Sequence, residues 1–366
     1  MERELAERLA RLRRALAQRG IEVAVVGPSA DFRYLTGHAA RPSERLLALV
    51  LPTDDDPTLL VPALEAPKFA AAAPAHVHAW SDGDDPLALL TAMLQHLDPA
   101  TIAVDDEFPA RFLLPLQERL PGRRFARVSS LVQALRVVKS PAELATLREA
   151  IRRVDAAWAR FCTEERLVGR TERQVARRLS ELLLEEGLDE VAFCIVASGP
   201  NAASPHHEPE DRVIHEGDPV VIDLGGPYQG YHADMTRTPI AGRLLDPEFA
   251  VAYEAVLEAQ QAAFAAMRPG VACEEIDRIA RDVLATHGLA EAFTHRLGHG
   301  LGLSVHEPPY LVRGNREPLR PGMVVTDEPG VYLPGRWGVR IEDVVVVTEE
   351  GAERLTRSPH DLLELP

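Results

Sequence analysis

Along residues 1–20, MERELAERLARLRRALAQRG, leucines recur at helical spacing among alternating charges, which predicts an amphipathic helix and not a signal peptide. Apolar runs at 22–27, 46–51, 58–62 and 101–104 read as short buried strands. Helical stretches at 86–97 and 112–120 alternate with them, giving an α/β domain of roughly 130 residues, close to the commonest domain size. The pattern changes at KSPAEL. Ser140 suits an N-cap, Pro141 a first helical position, and Glu143 closes a capping box. This junction sets the expected domains at 1–136 and 137–366. A second capping box, Thr171 with Gln174, opens another helix. Helices over 141–166 and 171–187 then lead into strands around FCIVASG and a hairpin within 219–238. Helices over 247–267 and 273–288 lead into a second strand set over 296–348. Helix pair followed by sheet, twice, predicts an α+β domain whose two similar halves close around a central site.

A chain of 366 residues favours two cores over one. Hydrophobic content of 46% with 26% charged residues describes an ordinary globular protein. The net charge of −16 argues against a surface that grips nucleic acid. Lys68 and Lys139 are the only lysines, so positive charge is carried by arginine. Cys162, Cys194 and Cys273 lack CxxC spacing, so neither a disulfide framework nor a thiolate zinc site is expected. No apolar run approaches the length of a membrane span, and a cytoplasmic location without membrane partners is expected.

The chemistry concentrates in PVVIDLGGPYQGYHADMTRT. Val220 to Ile222 read as a buried strand ending in Asp223, and the return strand carries Asp234. A reversal centred on Tyr228 and Gln229 would set the two aspartates directly opposite, with Cβ atoms about 4.5–5.5 Å apart. Two such charges beside Val and Ile demand a proton or a cation between them. Aspartates at strand ends are otherwise ordinary turn residues. In MVVTDEPGVYLPGRWGVRIEDVVVV, a turn centred on Gly335 sets Glu328 opposite Glu342, with Pro329 disturbing the ladder locally. In HRLGHGLGLSVHEPPY, Gly298, Gly300 and Gly302 thin the backbone around His299, which suits an imidazole reaching inward. The two prolines after Glu307 exclude the helical two-histidine face of a zincin. Four carboxylates and one imidazole balance two divalent cations in charge, and the oxygen-rich set favours manganese, with cobalt or zinc also compatible.

The motifs VVIDLGG, YHADMTRT, GHGLGLSVHEPP, TDEPGVY and VRIEDVVVV, in that order, resemble those of the pita-bread metallopeptidases, in the Xaa-Pro dipeptidase (prolidase) and Xaa-Pro aminopeptidase branch. LRVVKSPAEL resembles the family's domain junction, and YLTG at 34–37 a signature of its N-terminal domain. The resemblance implies a pita-bread domain behind a smaller creatinase-like α/β domain. It implies Asp223 on one metal, Asp234 and Glu342 bridging, and His299 and Glu328 on the second, with a bridging water attacking the carbonyl before proline. Glu328 would also shuttle a proton to the leaving imino nitrogen. His306 would stabilise the tetrahedral intermediate. His206 and His295 would face substrate, with Tyr332 and Arg340 at the pocket edge. His207 beside His206 is the competing inward-facing residue. A homodimer is implied as well.

A dipeptidase must neutralise the free carboxylate beyond proline, whereas an aminopeptidase leaves that side open. Some prolidases carry an Arg four residues after the counterpart of His306, where this chain has Tyr310. Arg41 and Arg45, in the loop after YLTG, are therefore the candidate carboxylate clamp. The expected function is hydrolysis of the Xaa-Pro bond in short peptides, with dipeptidase favoured. An Xaa-Pro aminopeptidase is the alternative, and a catalytically inactive peptide-binding module the remote one.

Overall fold

The computed structural model describes residues 2–69 and 75–366. Met1 of the expected first helix lies outside the described residues. Two compact units divide the chain at 136/137.

The first unit runs α1 (Glu2–Gln18), β1 (Val23–Val26), α2 (Ala30–Thr36), β2 (Ala48–Pro52), β3 (Thr58–Pro62), α3 (Ala66–Phe69), β4 (His76–Trp80), α4 (Pro86–Leu97), β5 (Thr101–Val104), α5 (Ala110–Arg119), β6 (Arg124–Arg127) and α6 (Ser129–Arg136). Its sheet has the order β4-β3-β2-β1-β5-β6. β1–β2 and β2–β3 are antiparallel while the remaining pairs are parallel. Val23, Val25, Leu60 and Ile102 pack with Leu90 and Leu94 of α4, so the apolar runs form the core that their composition demands. β4 and β6 were not anticipated. HVHAW is exposed over its first four residues, and RFAR buries little, so neither carries an apolar signal.

The second unit opens with α7 (Pro141–Glu164) and α8 (Glu172–Glu185), both with the capping boxes expected from sequence. Then come β7 (Phe193–Ser198), β8 (Val220–Tyr228), β9 (Tyr231–Arg237) and β10 (Ile240–Ala241). The second helix pair is α9 (Pro247–Ala266) and α10 (Cys273–Thr286). It is followed by β11 (Gly298–Gly300), β12 (Glu307–Leu311), β13 (Val324–Asp327), β14 (Gly330–Leu333), β15 (Trp337–Arg340), β16 (Asp343–Val347), β17 (Ala352–Arg354) and β18 (Glu364–Leu365). The sheets are β7-β8-β9 and β12-β11-β13-β16-β17, with short pairs β14-β15 and β10-β18.

The helix-pair-then-sheet order is thus realised twice. Trp158 and Phe161 of α7 with Val175 and Leu179 of α8 pack on Ile222, Leu224 and Met235. Phe249 and Tyr253 of α9 with Ile276 and Ala280 of α10 pack on Val325, Val339 and Val345. The strand period joins the halves. Val324, Val344 and Val346 belong to the first core, while Val325, Val345 and Val347 face the second. The second half's sheet therefore lends one face to the first core, and the carboxylate-bearing strand ends meet between the halves. The architecture is the expected one: a creatinase-like α/β unit followed by a pita-bread unit of two related halves.

Candidate metal centre and substrate cleft

The β8–β9 hairpin corrects one expectation. Its reversal lies at Gln229 and Gly230, which both have positive φ, so Asp223 stands opposite Thr236 and Asp234 opposite Gly225. The aspartates are diagonal neighbours on the same face, not direct partners. Moving the turn by one residue shifts the pairing by two, which preserves the face. Gly225 is required there, since a Cβ would lie 2.3 Å from the Ala233 carbonyl.

The second hairpin keeps its expected register. Gly330 pairs with Arg340 in β14–β15, and Asp327 with Asp343 in β13–β16. The two ladders are in phase. Glu328 and Glu342 sit in the break between them, where Pro329 supplies no N–H and its carbonyl accepts from Ile341. β11 threads between β12 and β13, and a Cβ on Gly298 would fall 2.0 Å from the Thr326 carbonyl. That close approach delivers His299 to the acids.

His299 is 3% exposed. Its Nδ1–H donates to the Gly300 carbonyl (3.0 Å), which leaves the Nε2 lone pair facing Glu328 (3.3 Å) and Asp234 (3.7 Å). Burial lowers its pKa to about 3, so it is neutral, as a metal ligand must be. Ligand atoms of Asp234, His299 and Glu342 lie within 4.8 Å of one another. Burial, then the charges of Asp223 and Glu328, push the Asp234 carboxyl well above its usual range; burial, then Asp234 and Glu328, do the same to Glu342. Glu328 is pushed up to about 7, first by burial. Among the described residues Asp223 Oδ1, which is buried, has no hydrogen-bond partner. Acids gathered so closely need positive charge among them, and this donor set fits divalent cations. Two threonines orient the glutamates in matching fashion. Thr236 Oγ1 donates to Glu342 (2.6 Å) and accepts from Arg340 Nε, while Thr326 Oγ1 donates to Glu328 (3.0 Å) and accepts from His299 N.

These five side chains line a cleft of about 660 Å³ together with His206, His295, His306, Arg340 and Arg296. Between the adjacent histidines the geometry chooses. His206 lines the cleft, and His207 turns to the Glu172 carboxylate at 3.0 Å. His306 lies edge-on to His299 with ring centres 4.2 Å apart, and burial lowers its pKa. Arg340 Nη1 donates to Tyr332 Oη (2.8 Å), whose hydroxyl donates to His295 Nε2 (2.9 Å). The His295 Nδ1–H is held by the Arg296 carbonyl (2.8 Å). Tyr332 therefore acts on the cleft through His295. Tyr310, expected in the pocket, is not among the lining residues; its ring lies 4.5 Å beneath the Arg296 guanidinium.

Arg41 and Arg45 belong to the first unit. Arg45 forks onto both oxygens of Asp82 at 3.1 Å each and also meets Glu44. Arg296 escaped sequence reasoning although HRLGHG places it three residues before His299. Among the described residues no acid side chain pairs with it. The apolar wall formed by Phe193, Ile195 and Val305 was also missed, because isolated apolar residues carry no positional signal.

Residues 145–349 match the model of metallopeptidase family M24, and residues 8–138 match the creatinase/prolidase N-terminal domain. The chain is similar to the crystal structure of dipeptidase PepE from Mycobacterium ulcerans, with 46% identity, a TM-score of 0.91, and coverage of 99% of this chain and 98% of the other. It is similar to a recombinant prolidase from Thermococcus sibiricus, with 36% identity, a TM-score of 0.94, and coverage of 98% and 99%. An Xaa-Pro dipeptidase from Pyrococcus horikoshii is 32% identical over 98% of this chain and 99% of the relative. With its five ligand candidates converging on one cleft, the chain belongs to metallopeptidase family M24 and carries the creatinase/prolidase N-terminal domain.

Proposed function

We propose that this hydrolase cleaves the bond before proline in short peptides and acts as a dipeptidase, with two divalent cations held by Asp223, Asp234, His299, Glu328 and Glu342. The observation that carries this reading is the convergence of those side chains on one cleft with Asp223 Oδ1 buried and, among the described residues, unpartnered. Bound divalent cations supply Lewis acidity and a nucleophile from water.

The protein's own groups do the rest. Glu328, which lines the cleft 3.3 Å from His299 Nε2, passes a proton to the leaving imino nitrogen. His306, at the cleft and beside His299, donates a hydrogen bond to the developing oxyanion. His206 and His295 seat the substrate, and Arg340 with Tyr332 fixes the ring of His295. Arg41 or Arg45 neutralises the substrate carboxylate, and Arg296, stacked on Tyr310, adds positive charge inside the cleft.

Manganese is the preferred metal on the oxygen-rich ligand set. A cytoplasmic homodimer is part of the same reading; among the described residues no helix is long and apolar enough to cross a membrane. The intact ligand set argues against a catalytically inactive binding module. Turnover of Ala-Pro against Ala-Pro-Ala by manganese-loaded protein tests the function. Faster cleavage of the dipeptide is expected, the reverse would assign an aminopeptidase, and cleavage of neither would end the reading.

A further inference from the structure

His206 and His306 face the cleft but belong to no helix or strand, and in both cases the residue that follows is the anchored one. His206 lies in a turn closed by the His207 amide on the Ser204 carbonyl (3.2 Å), and His306 in the bend just before β12, so anchoring residue i+1 restricts the backbone that aims residue i. Glu307 accepts from Lys139 Nζ at 2.8 Å, with the two side chains 4% and 1% exposed. His207 meets Glu172 at 3.0 Å, with side-chain exposures of 13% and 0%. Lys139 directly precedes the N-cap Ser140 of α7, and Glu172 is the first residue of α8. The same device thus stands at the start of both helices of one pair.

Both anchors are fixed in turn. The Lys139 amide donates to the Gly322 carbonyl at 2.8 Å. The Glu307 carboxylate fills the space beside Gly302, where a Cβ would lie 2.7 Å from Oε1. Glu172 accepts from Ser198 N and Oγ at 2.7 Å each, from Asn201 Nδ2 at 3.1 Å and from Glu210 N at 3.2 Å. These bonds span both flanks of His206. Neither Lys139 nor Glu172 lines the cleft.

We propose that Lys139 and Glu172 are positioning residues, aiming His306 and His206 into the cleft through Glu307 and His207. This rests on the reading of those two histidines as substrate-facing. Removing one partner alone would strand a buried charge, so the informative variant neutralises both ends: Lys139→Met with Glu307→Gln. Glu172→Gln is its counterpart at the other histidine.

The test is a double-mutant cycle on the manganese-loaded full chain. The expected result is a fall in kcat of about 30-fold or more for the paired variant, on the sensitivity of catalysis to small misplacements, with manganese bound per chain unchanged. In that background His306→Ala should cost at most about threefold, far less than in wild type, because the imidazole is already misplaced. Additive losses, agreeing within about twofold, would overturn the proposal, as would a variant that melts earlier yet keeps wild-type kcat. The same cycle pairs Glu172→Gln with His206→Ala. A reading independent of activity is the histidine ring NMR spectrum: the His306 signal should move in the paired variant while that of His299 stays. An unmoved His306 signal would overturn the proposal even in a chain that cleaves no Xaa-Pro bond, so its failure is distinct from failure of the functional reading.

Discussion

Arg340 and Asp223 are joined by an ion pair of 2.7 Å within the cleft, both side chains being largely buried. The same guanidinium reaches Tyr332 Oη at 2.8 Å and Thr236 Oγ1 at 3.1 Å, so one planar fork ties a metal-ligand candidate to the His295 chain and to the support of Glu342. A lysine presents one point charge and cannot reproduce that fork. Arg340→Lys should therefore lower kcat/KM about 100-fold, as misplacements near 1 Å do, while the chain stays folded. Steady-state kinetics and circular dichroism check this, and near wild-type kcat/KM would contradict it.

His306 is assigned to the oxyanion and Glu342 to the metals, and their loss should look different. His306→Ala should lower kcat by about 10²–10³-fold with metal content intact, the scale of losing one oxyanion donor. Glu342→Gln should lower both activity and bound metal. Kinetics with elemental analysis of the same samples separate the two. Full metal in Glu342→Gln would remove that residue from the ligand set.

The carboxylate clamp is tested by substrate length and charge. Loss of the clamp, by Arg41→Ala or Arg45→Ala, should raise KM for Ala-Pro, while leaving Ala-Pro-amide, which lacks the carboxylate, little changed. A charge-assisted pair of this kind is worth roughly 1.5–3 kcal/mol, or about 10–150-fold in KM. Both variants and Arg296→Ala, run in parallel, assign the effect. An equal response of acid and amide substrates in all three variants would discard the clamp.

A pH effect is expected in the first unit. Asp105 is buried, its Oδ2 accepting from Gly27 N (2.7 Å) and Ser29 Oγ (3.2 Å) while Oδ1 has no partner among the described residues, and burial raises its pKa to about 7. An acid with a raised folded-state pKa holds its proton in the folded unit after the unfolded chain has released it. Its contribution is therefore complete below about pH 4 and is lost as pH rises toward 7, by up to about 1.4 kcal/mol per pH unit. Asp105→Asn should flatten this slope. Melting of the full chain at pH 5 to 8 checks it: the variant's advantage should grow with pH up to about 7, and a constant offset would contradict the assignment.

The strand faces were legible because side-chain period survives small errors in turn placement. Asp223 and Asp234 share a face although the reversal lies one residue later than the symmetric reading put it. Glu328 and Glu342 kept their register because the turn glycine, Gly335, was unambiguous and Pro329 broke the ladder without shifting it. His206 could not be separated from His207 by sequence, since the choice depends on Glu172, which a helix start brings from more than thirty residues away. Thr236 behind Glu342 was hidden for a similar reason, since its role exists only once the two halves meet, whereas Thr326 reaches Glu328 from two residues away in the same half. β4 and β6 lacked apolar patterning altogether, and their place in the sheet is set by their neighbours.

The account rests on paired cations held by Asp223, Asp234, His299, Glu328 and Glu342. Anomalous diffraction from crystals grown with manganese measures this directly. The account predicts two peaks about 3.5–4 Å apart, enclosed by those five side chains. A single peak, or manganese found only elsewhere, would contradict it.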